Sequence, residues 1–169
     1  VLMLAACSPQ SPVSQSAGSG RIVYGLTLSP SGFDPHVHQS SEIGIVLRQV
    51  YDTLVYRQPD TGQFVAGLAS EWMISPDGLV YEFKLKQGVR FHDGTPFNAQ
   101  AVADNLARIT SPATRSQQAV LLLGPYAGTE VVDEFTVRIL LAEPYGPFLD
   151  ALSQFYLGMA SPSALAQFA

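Results

Sequence analysis

The 169-residue chain carries nine Lys and Arg against fourteen Asp and Glu, a net charge of −5, and 47% of its residues are apolar. That length is enough for one globular domain with its own core, and nine scattered basic residues form no stripe that would neutralise a phosphate backbone, so no nucleic-acid partner is expected. The single cysteine excludes an internal disulfide framework and any cysteine-cluster zinc site.

Residues 1–6 are apolar or small, Cys7 follows, and residues 8–20 then turn at once to Ser, Pro, Gln and Gly. This succession resembles a bacterial lipoprotein signal, in which Leu4-Ala5-Ala6 precede a cysteine that is cleaved free and acylated. Acyl chains on Cys7 would anchor the chain to a membrane, at about 0.8 kcal/mol per buried methylene. The alternative is a small core cysteine at the end of a buried element. The apolar stretch lacks an initiating Met and a basic start, so the sequence is expected to begin inside the signal. The expected organisation is a signal remnant over 1–7, a flexible tether over 8–20, and a folded region over 21–169. No other stretch approaches the ~20 apolar residues of a membrane span.

Arg21–Leu28 reads as a first strand, apolar on both faces, and breaks at Ser29-Pro30-Ser31-Gly32. After the loop Phe33-Asp34-Pro35-His36, apolar residues at Ile43, Val46, Leu47, Val50, Tyr51 and Leu54 follow helical spacing, with Ser40 or Ser41 as the expected cap. Leu79, Tyr81, Phe83 and Leu85 alternate with Val80, Glu82, Lys84 and Lys86 behind the turn Ser75-Pro76-Asp77-Gly78, which predicts a hairpin with a partner strand over 71–74 and one wet face. Asn98 is placed to cap a helix running to about Ile109, with Phe97 and Val102 as a hydrophobic staple. A polar loop at Ser111-Pro112 precedes a second hairpin, 129–132 and 135–139 around Asp133-Glu134. A short helix is expected over 148–152, a strand over 155–160, and a helix start at Pro162 without a stop signal, so the polypeptide is expected to continue. Strands, helices and hairpins mixed in this order predict an α/β class with a mixed α+β sheet.

Trp72, Tyr81 and Phe83 could stack on a ligand, but alternation on a hairpin reads as core. His92-Asp93-Gly94 reads as a turn rather than a catalytic pair. His36 and His38 could share one side of an extended segment and ligate a metal, yet two histidines without a third ligand read as a polar loop. No nucleophile elbow, phosphate loop, HExxH or CxxC occurs. No cofactor, metal or catalytic residue is therefore expected, and the protein is not expected to be an enzyme.

Gly32-Phe33-Asp34-Pro35-His36, Val50-Tyr51-Asp52-Thr53-Leu54-Val55, Gly67-Leu68-Ala69-Ser70-Glu71-Trp72 and the long run from Ser75 to Ala99 resemble, in order and spacing, the bacterial extracellular solute-binding proteins of family 5. The resemblance covers roughly residues 22–165. It implies a periplasmic-binding-protein-like type II fold of two lobes, of which residues 21–169 are a partial first lobe, with the second lobe missing. It also implies a substrate-binding lipoprotein that captures a small peptide or other small solute outside the cytoplasmic membrane and delivers it to an ABC permease, as a monomer held at the membrane through Cys7. The implied ligand residues are Val37, His38, Gln39, Ser40, Ser41 and Tyr156. Backbone N–H groups and the two hydroxyls of this loop would bind a carboxylate or carbonyl, with plain helix capping as the alternative. A surface lipoprotein of the same fold for signalling or adhesion, and a lipid-anchored hydrolase, remain the competing readings.

Overall fold

In the computed structural model, residues 23–27, 29 and 32–168 are described; Cys7 and the 8–20 tether lie outside them. Two hairpins joined edge to edge form the main sheet. β3 (Ala69–Ile74) and β4 (Val80–Leu85) make the first, β5 (Tyr126–Asp133) and β6 (Thr136–Leu141) the second, and β4 pairs with β6 to give the antiparallel order β3-β4-β6-β5. Around it lie α1 (Ile43–Leu47), the two-stranded sheet β1 (Val55–Arg57) and β2 (Phe64–Ala66), α2 (Ala99–Thr110), α3 (Gln118–Leu123), α4 (Phe148–Leu152) and α5 (Pro162–Phe168). The mixed α/β class with hairpins is thus what the residues form.

Both hairpins follow from side-chain chemistry at their turns. In the first, the Asp77 carboxylate accepts the Leu79 amide at 3.1 Å and Gly78 takes a φ of 72°, which costs glycine little. In the second, Asp133 accepts the Phe135 amide at 2.9 Å. Period two then sorts the faces. Tyr81, Phe83 and Leu85 of β4 join Val137, Ile139 and Leu141 of β6 in the core, with Trp72 packed against it. The opposite face carries charge: Arg138 donates to Glu82 at 2.8 Å and Lys84 donates to Thr136 at 2.9 Å. Alternation therefore makes Trp72, Tyr81 and Phe83 packing residues.

Helix α2 covers the apolar side. Asn98 caps it by accepting the Ala101 amide at 3.0 Å, and Phe97, Val102, Leu106 and Ile109 are buried in the core. Helix α4 spans the residues the sequence predicts, and α5 starts at Pro162 as expected.

Four elements differ from expectation. Residues 23–27, the described part of the predicted first strand with Ser29 beyond it, belong to no strand, and Val23 and Tyr24 are 77% and 67% exposed. A strand apolar on both faces needs neighbours at its edges and a layer on each face, and the described residues bring it neither. The α-helical bonding of α1 stops at Leu47 and continues only as single turns to Tyr51, because the next stretch is recruited elsewhere. Leu68 donates to the Thr53 carbonyl and Ala69 to the Leu54 carbonyl, each at 2.9 Å. Residues 155–160 are not a strand: Phe155–Leu157 form a 3-10 turn, and Met159 and Ala160 find their backbone partners in Asp52 and the Asn105 side chain. Helix α3 occupies a stretch read as loop, with Ala119 and Leu123 buried and Gly124 ending it at φ 59°.

Gly67 is required by the same recruitment. A Cβ there would lie 2.4 Å from the Thr53 carbonyl oxygen, a backbone atom that is itself hydrogen-bonded. Gly67→Ala is expected to cost about 1–3 kcal/mol in urea unfolding. Gly128→Ala, where a Cβ meets nothing within 4 Å, is the matched control and is expected to stay within about 0.5 kcal/mol of the parent.

Candidate functional site

The segment 33–41 enters α1 and is tied down from three directions. Asp34 folds it locally: its Oδ1 accepts the backbone N–H of His36 at 2.9 Å across Pro35. The second tie comes from α2. Arg108, in its last turn, donates Nη2 to Asp34 Oδ2 at 2.6 Å and Nη1 to Asp34 Oδ1 at 3.1 Å, and Nη1 also lies 3.0 Å from His36 Nδ1. The third tie comes from the tail after α4. His36 Nε2 meets the Gly158 carbonyl at 3.0 Å, and the Tyr156 hydroxyl donates to the Gln39 carbonyl at 2.8 Å. Ser116, ahead of α3, adds a bond from its hydroxyl to the His36 carbonyl at 2.7 Å.

These partners assign the imidazole tautomer. A carbonyl at Nε2 requires N–H there, and a guanidinium donor at Nδ1 requires a lone pair, so His36 is the neutral Nε2–H form. The ring is fully buried. Burial, with a smaller contribution from the Arg108 charge, lowers its pKa from 6.5 to about 4 against the opposing pull of Asp34 and Gly158. Burial alone would raise Asp34, but the Arg108 hydrogen bonds, the His36 amide and the Arg108 charge outweigh it and hold the carboxyl below its usual range. With both nitrogens engaged, His36 offers no lone pair to a metal, and no cluster of three or more metal-ligating side chains occurs among the described residues.

Of the sequence-predicted site residues, Val37 and His38 are half-buried and Gln39, Ser40 and Ser41 are exposed. Tyr156, from 117 positions along the chain, is brought onto Gln39. Neither serine caps α1: its N-cap is Glu42, without a side-chain cap bond, and helical bonding starts from the Ser41 carbonyl. The backbone chooses this because residue 42 already adopts helical φ and ψ, so a preceding serine side chain is not aimed at the first turn. A five-residue helix also has little dipole to offer an anion, so the polar groups of the loop itself are what the site presents. The N–H groups of Gln39, Ser40 and Ser41 and both serine hydroxyls make no hydrogen bond among the described residues.

Two cavities lie nearby. One of about 220 Å³ is walled by Tyr51, Leu68, Phe91, Phe97 and Met159, and one of about 230 Å³ by Phe33, Tyr51, Arg108 and Leu165. None of Val37, His38, Gln39, Ser40, Ser41 or Tyr156 lines either. The His92-Asp93 turn is structural: Asp93 accepts from Ser161 at 2.5 Å, from Ser163 and from the Thr95 amide, which pins the start of α5 to it.

Sequence reasoning missed Arg108, Ser116 and Asn105. Arg108 closes an amphipathic helix, where a basic residue reads as dipole complement, and only its partner Asp34 falls in a segment singled out as distinctive.

Residues 63–167 match the family model described as bacterial extracellular solute-binding proteins, family 5 Middle. The chain is 37% identical over 138 residues to the glutathione-binding protein GsiB of Pectobacterium atrosepticum, covering 82% of this chain and 26% of that one. Among solved structures it is similar to NikA of Brucella suis in complex with Fe(III)-EDTA, with a TM-score of 0.70 and 32% identity over 78% of this chain and 26% of that one. It is also similar to the periplasmic binding protein DppA of Helicobacter pylori in complex with the peptide STSA, with a TM-score of 0.69 and 28% identity over 80% of this chain and 30% of that one. The chain thus spans between about a quarter and a third of the length of these relatives.

The buried imidazole makes stability depend on acid. Between about 4 and 6.5 the unfolded chain binds a proton at His36 that the folded one does not, so stability is full above about 6.5 and falls as pH drops toward 4. The loss from this group is about 3 kcal/mol. Asp34, held low, adds to it only below the ordinary carboxylate range. Urea unfolding between pH 7 and 4 is expected to show this slope, and His36→Gln, which keeps a donor for Gly158 but cannot titrate, is expected to flatten it. An unchanged slope in that variant would place the acid sensitivity elsewhere.

Proposed function

As this chain belongs to the bacterial extracellular solute-binding proteins of family 5, we propose that it is part of the substrate-binding component of an ABC importer, and that it presents a small peptide or a similar carboxylate-bearing solute at the loop 37–41. The observation that carries this reading is the loop itself. His36 at its start is held from α2 and from Ser116, and Gln39 within it by Tyr156, while the N–H groups of Gln39, Ser40 and Ser41 and both serine hydroxyls make no hydrogen bond among the described residues. These groups are exposed, so water serves them in the free protein, and a row of donors held in place at Gln39 suits the carboxylate or the backbone carbonyls of an extended ligand.

The relatives' ligands support the same chemistry. Glutathione, the peptide STSA and the EDTA chelate are small, flexible and rich in carboxylate or amide oxygens. Donation from a backbone row tolerates many side chains, so the part of the cleft contributed by the rest of the protein would set which solute is held. Closure of that second lobe over the loop would trap the ligand, driven by the ligand's preference for the closed state. No bond is made or broken in this mechanism. The buried His36, engaged at both nitrogens, is unavailable as a proton carrier to a ligand, in keeping with a binding rather than a catalytic role.

Capture is proposed to occur outside the cytoplasmic membrane, with the chain tethered through acylated Cys7 by the 8–20 segment and acting as a monomer. Cys7→Ser is expected to abolish incorporation of labelled palmitate in cells and to release the protein from the membrane fraction.

Titration calorimetry of the intact protein against reduced glutathione, Ser-Thr-Ser-Ala and a nickel chelate is expected to give a dissociation constant at or below about 1 μM for one of them. Tyr156→Phe, which removes the hold on Gln39, is expected to weaken it about five- to ten-fold. Absence of heat and of thermal stabilisation with all three probes would refute the solute-binding assignment.

A further inference from the structure

We propose that Arg108 is the positioning residue of the ligand loop: one guanidinium at the end of α2 grips Asp34 and the neutral His36 together, so that the conformation of residues 36–41 is set from outside the loop and is released when His36 takes up a proton. The proposal rests on the reading of 37–41 as the ligand loop and names the regulation of that site.

The geometry gives Arg108 two tasks at once. Its Nη2 and Nη1 bind both oxygens of Asp34, and Nη1 is shared with His36 Nδ1. Its Nε is buried and without a hydrogen-bond partner among the described residues, so the hydrogen bonds of the guanidinium go to these two residues. Asp34 in turn holds the His36 amide, and the far side of the imidazole holds Gly158, two positions beyond the tyrosine that anchors Gln39. The loop therefore hangs on a ring whose two nitrogens must be one acceptor and one donor.

Protonation breaks that requirement. A hydrogen on Nδ1 would face the Nη1 hydrogen of Arg108, turning a hydrogen bond into two like charges at 3.0 Å. Among the described residues, the charged groups that act on the ring are Asp34 and Arg108. Asp34 favours the imidazolium, Arg108 and burial oppose it, and Asp34 is already committed to Arg108 by both oxygens. Tyr51 lies close enough to feel both Asp34 and Arg108 but stays neutral, since burial raises its pKa. The Gly158 carbonyl and Ser116 hydroxyl do not titrate. Relief comes only by the ring leaving its place, and residues 36–41 move with it. A donor row that must be ordered before it binds loses affinity by the cost of ordering.

The test uses the intact protein and two readouts. Residue-resolved amide hydrogen exchange without ligand, corrected for intrinsic pH dependence, follows the His36 N–H, which Asp34 holds, with β4 and β6 as internal reference. Calorimetry with reduced glutathione and Ser-Thr-Ser-Ala follows binding between pH 7 and 4. Arg108→Lys, which keeps the charge but loses the fork, is expected to speed exchange of the His36 N–H about ten-fold at pH 7 with the reference strands unchanged, and to weaken probe binding by a similar factor. In the wild type the exchange of this N–H and the probe's dissociation constant rise together as pH falls from 6 to 4. In His36→Gln neither changes further over that range, whatever its starting affinity. Unaltered exchange of the residue-36 N–H in Arg108→Lys, or the same acid response in His36→Gln as in the wild type, would overturn the proposal. A wild type that binds neither probe counts against the ligand reading alone, and the exchange comparison then decides the latch by itself.

Discussion

Burial of one face of α2 against the hairpin sheet fixes where everything else in this chain can go. Val102, Leu106 and Ile109 are at most 1% exposed, and the helix packs on β5 and β6. Each such side chain contributes about 1.5–3 kcal/mol, whereas a single hydrogen bond contributes about 1 kcal/mol net. Apolar burial thus decides the helix's position, and its polar residues then act from a fixed platform. Asn105 and Arg108 stand three positions apart, on neighbouring turns of one edge. The first pairs with both the N–H and the carbonyl of Ala160, at 2.8 and 2.9 Å, as a strand edge would. The second holds Asp34 and His36. One helix therefore docks the segment before α1 and the segment after α4 side by side, although they are far apart in sequence.

That division explains what was legible in the residues. The hairpins were readable because alternation at Tyr81, Phe83 and Leu85 and the Asp-Gly turn are local signals, and a capped amphipathic helix at Asn98 is local too. The run 155–160 was misread as a strand because it is apolar throughout, and periodicity cannot separate a buried strand from any other buried stretch. Its real partner is a side-chain amide 55 positions away. The short α1 was hidden for a similar reason: the helical spacing of its apolar residues persists past Leu47, but the carbonyls of Thr53 and Leu54 are claimed by Leu68 and Ala69. Helix α3 is capped not by its N-cap residue Gln117 but by Ser116 one position earlier, whose hydroxyl accepts the Val120 amide at 3.2 Å.

The candidate site divides along the same line. Gln39, Ser40 and Ser41 could be chosen as an exposed polar loop following a distinctive motif, and Tyr156 was placed with them only through the resemblance to a family. Arg108 could not be chosen, because nothing near it in sequence distinguishes a guanidinium that will be buried 74 positions from its carboxylate from one that will face water. The segment Phe33-Asp34-Pro35-His36 was distinctive, yet its role became visible only in three dimensions. Asp34 closes a turn on His36 and at the same time receives α2, and Pro35 between them leaves one amide fewer to satisfy.

Charge is an unusual choice for such a joint. The half-buried Asp34 carboxylate and the Arg108 guanidinium lose part of their hydration, which their attraction only roughly restores, so apolar residues of the same size would hold the loop with comparable strength. What they would not hold is its angle. Two oxygens on a planar fork, and a ring with one lone pair and one hydrogen, fit together in one orientation, and a loop presenting backbone donors to a ligand is useful only when those donors keep their direction. The cost of that choice is the acid sensitivity of His36, because an imidazole held neutral by burial is the part of the joint that a proton undoes first. Asp34 is the other half of the joint: burial alone would raise its carboxyl, but the Arg108 hydrogen bonds, the His36 amide and the Arg108 charge hold it below its usual range.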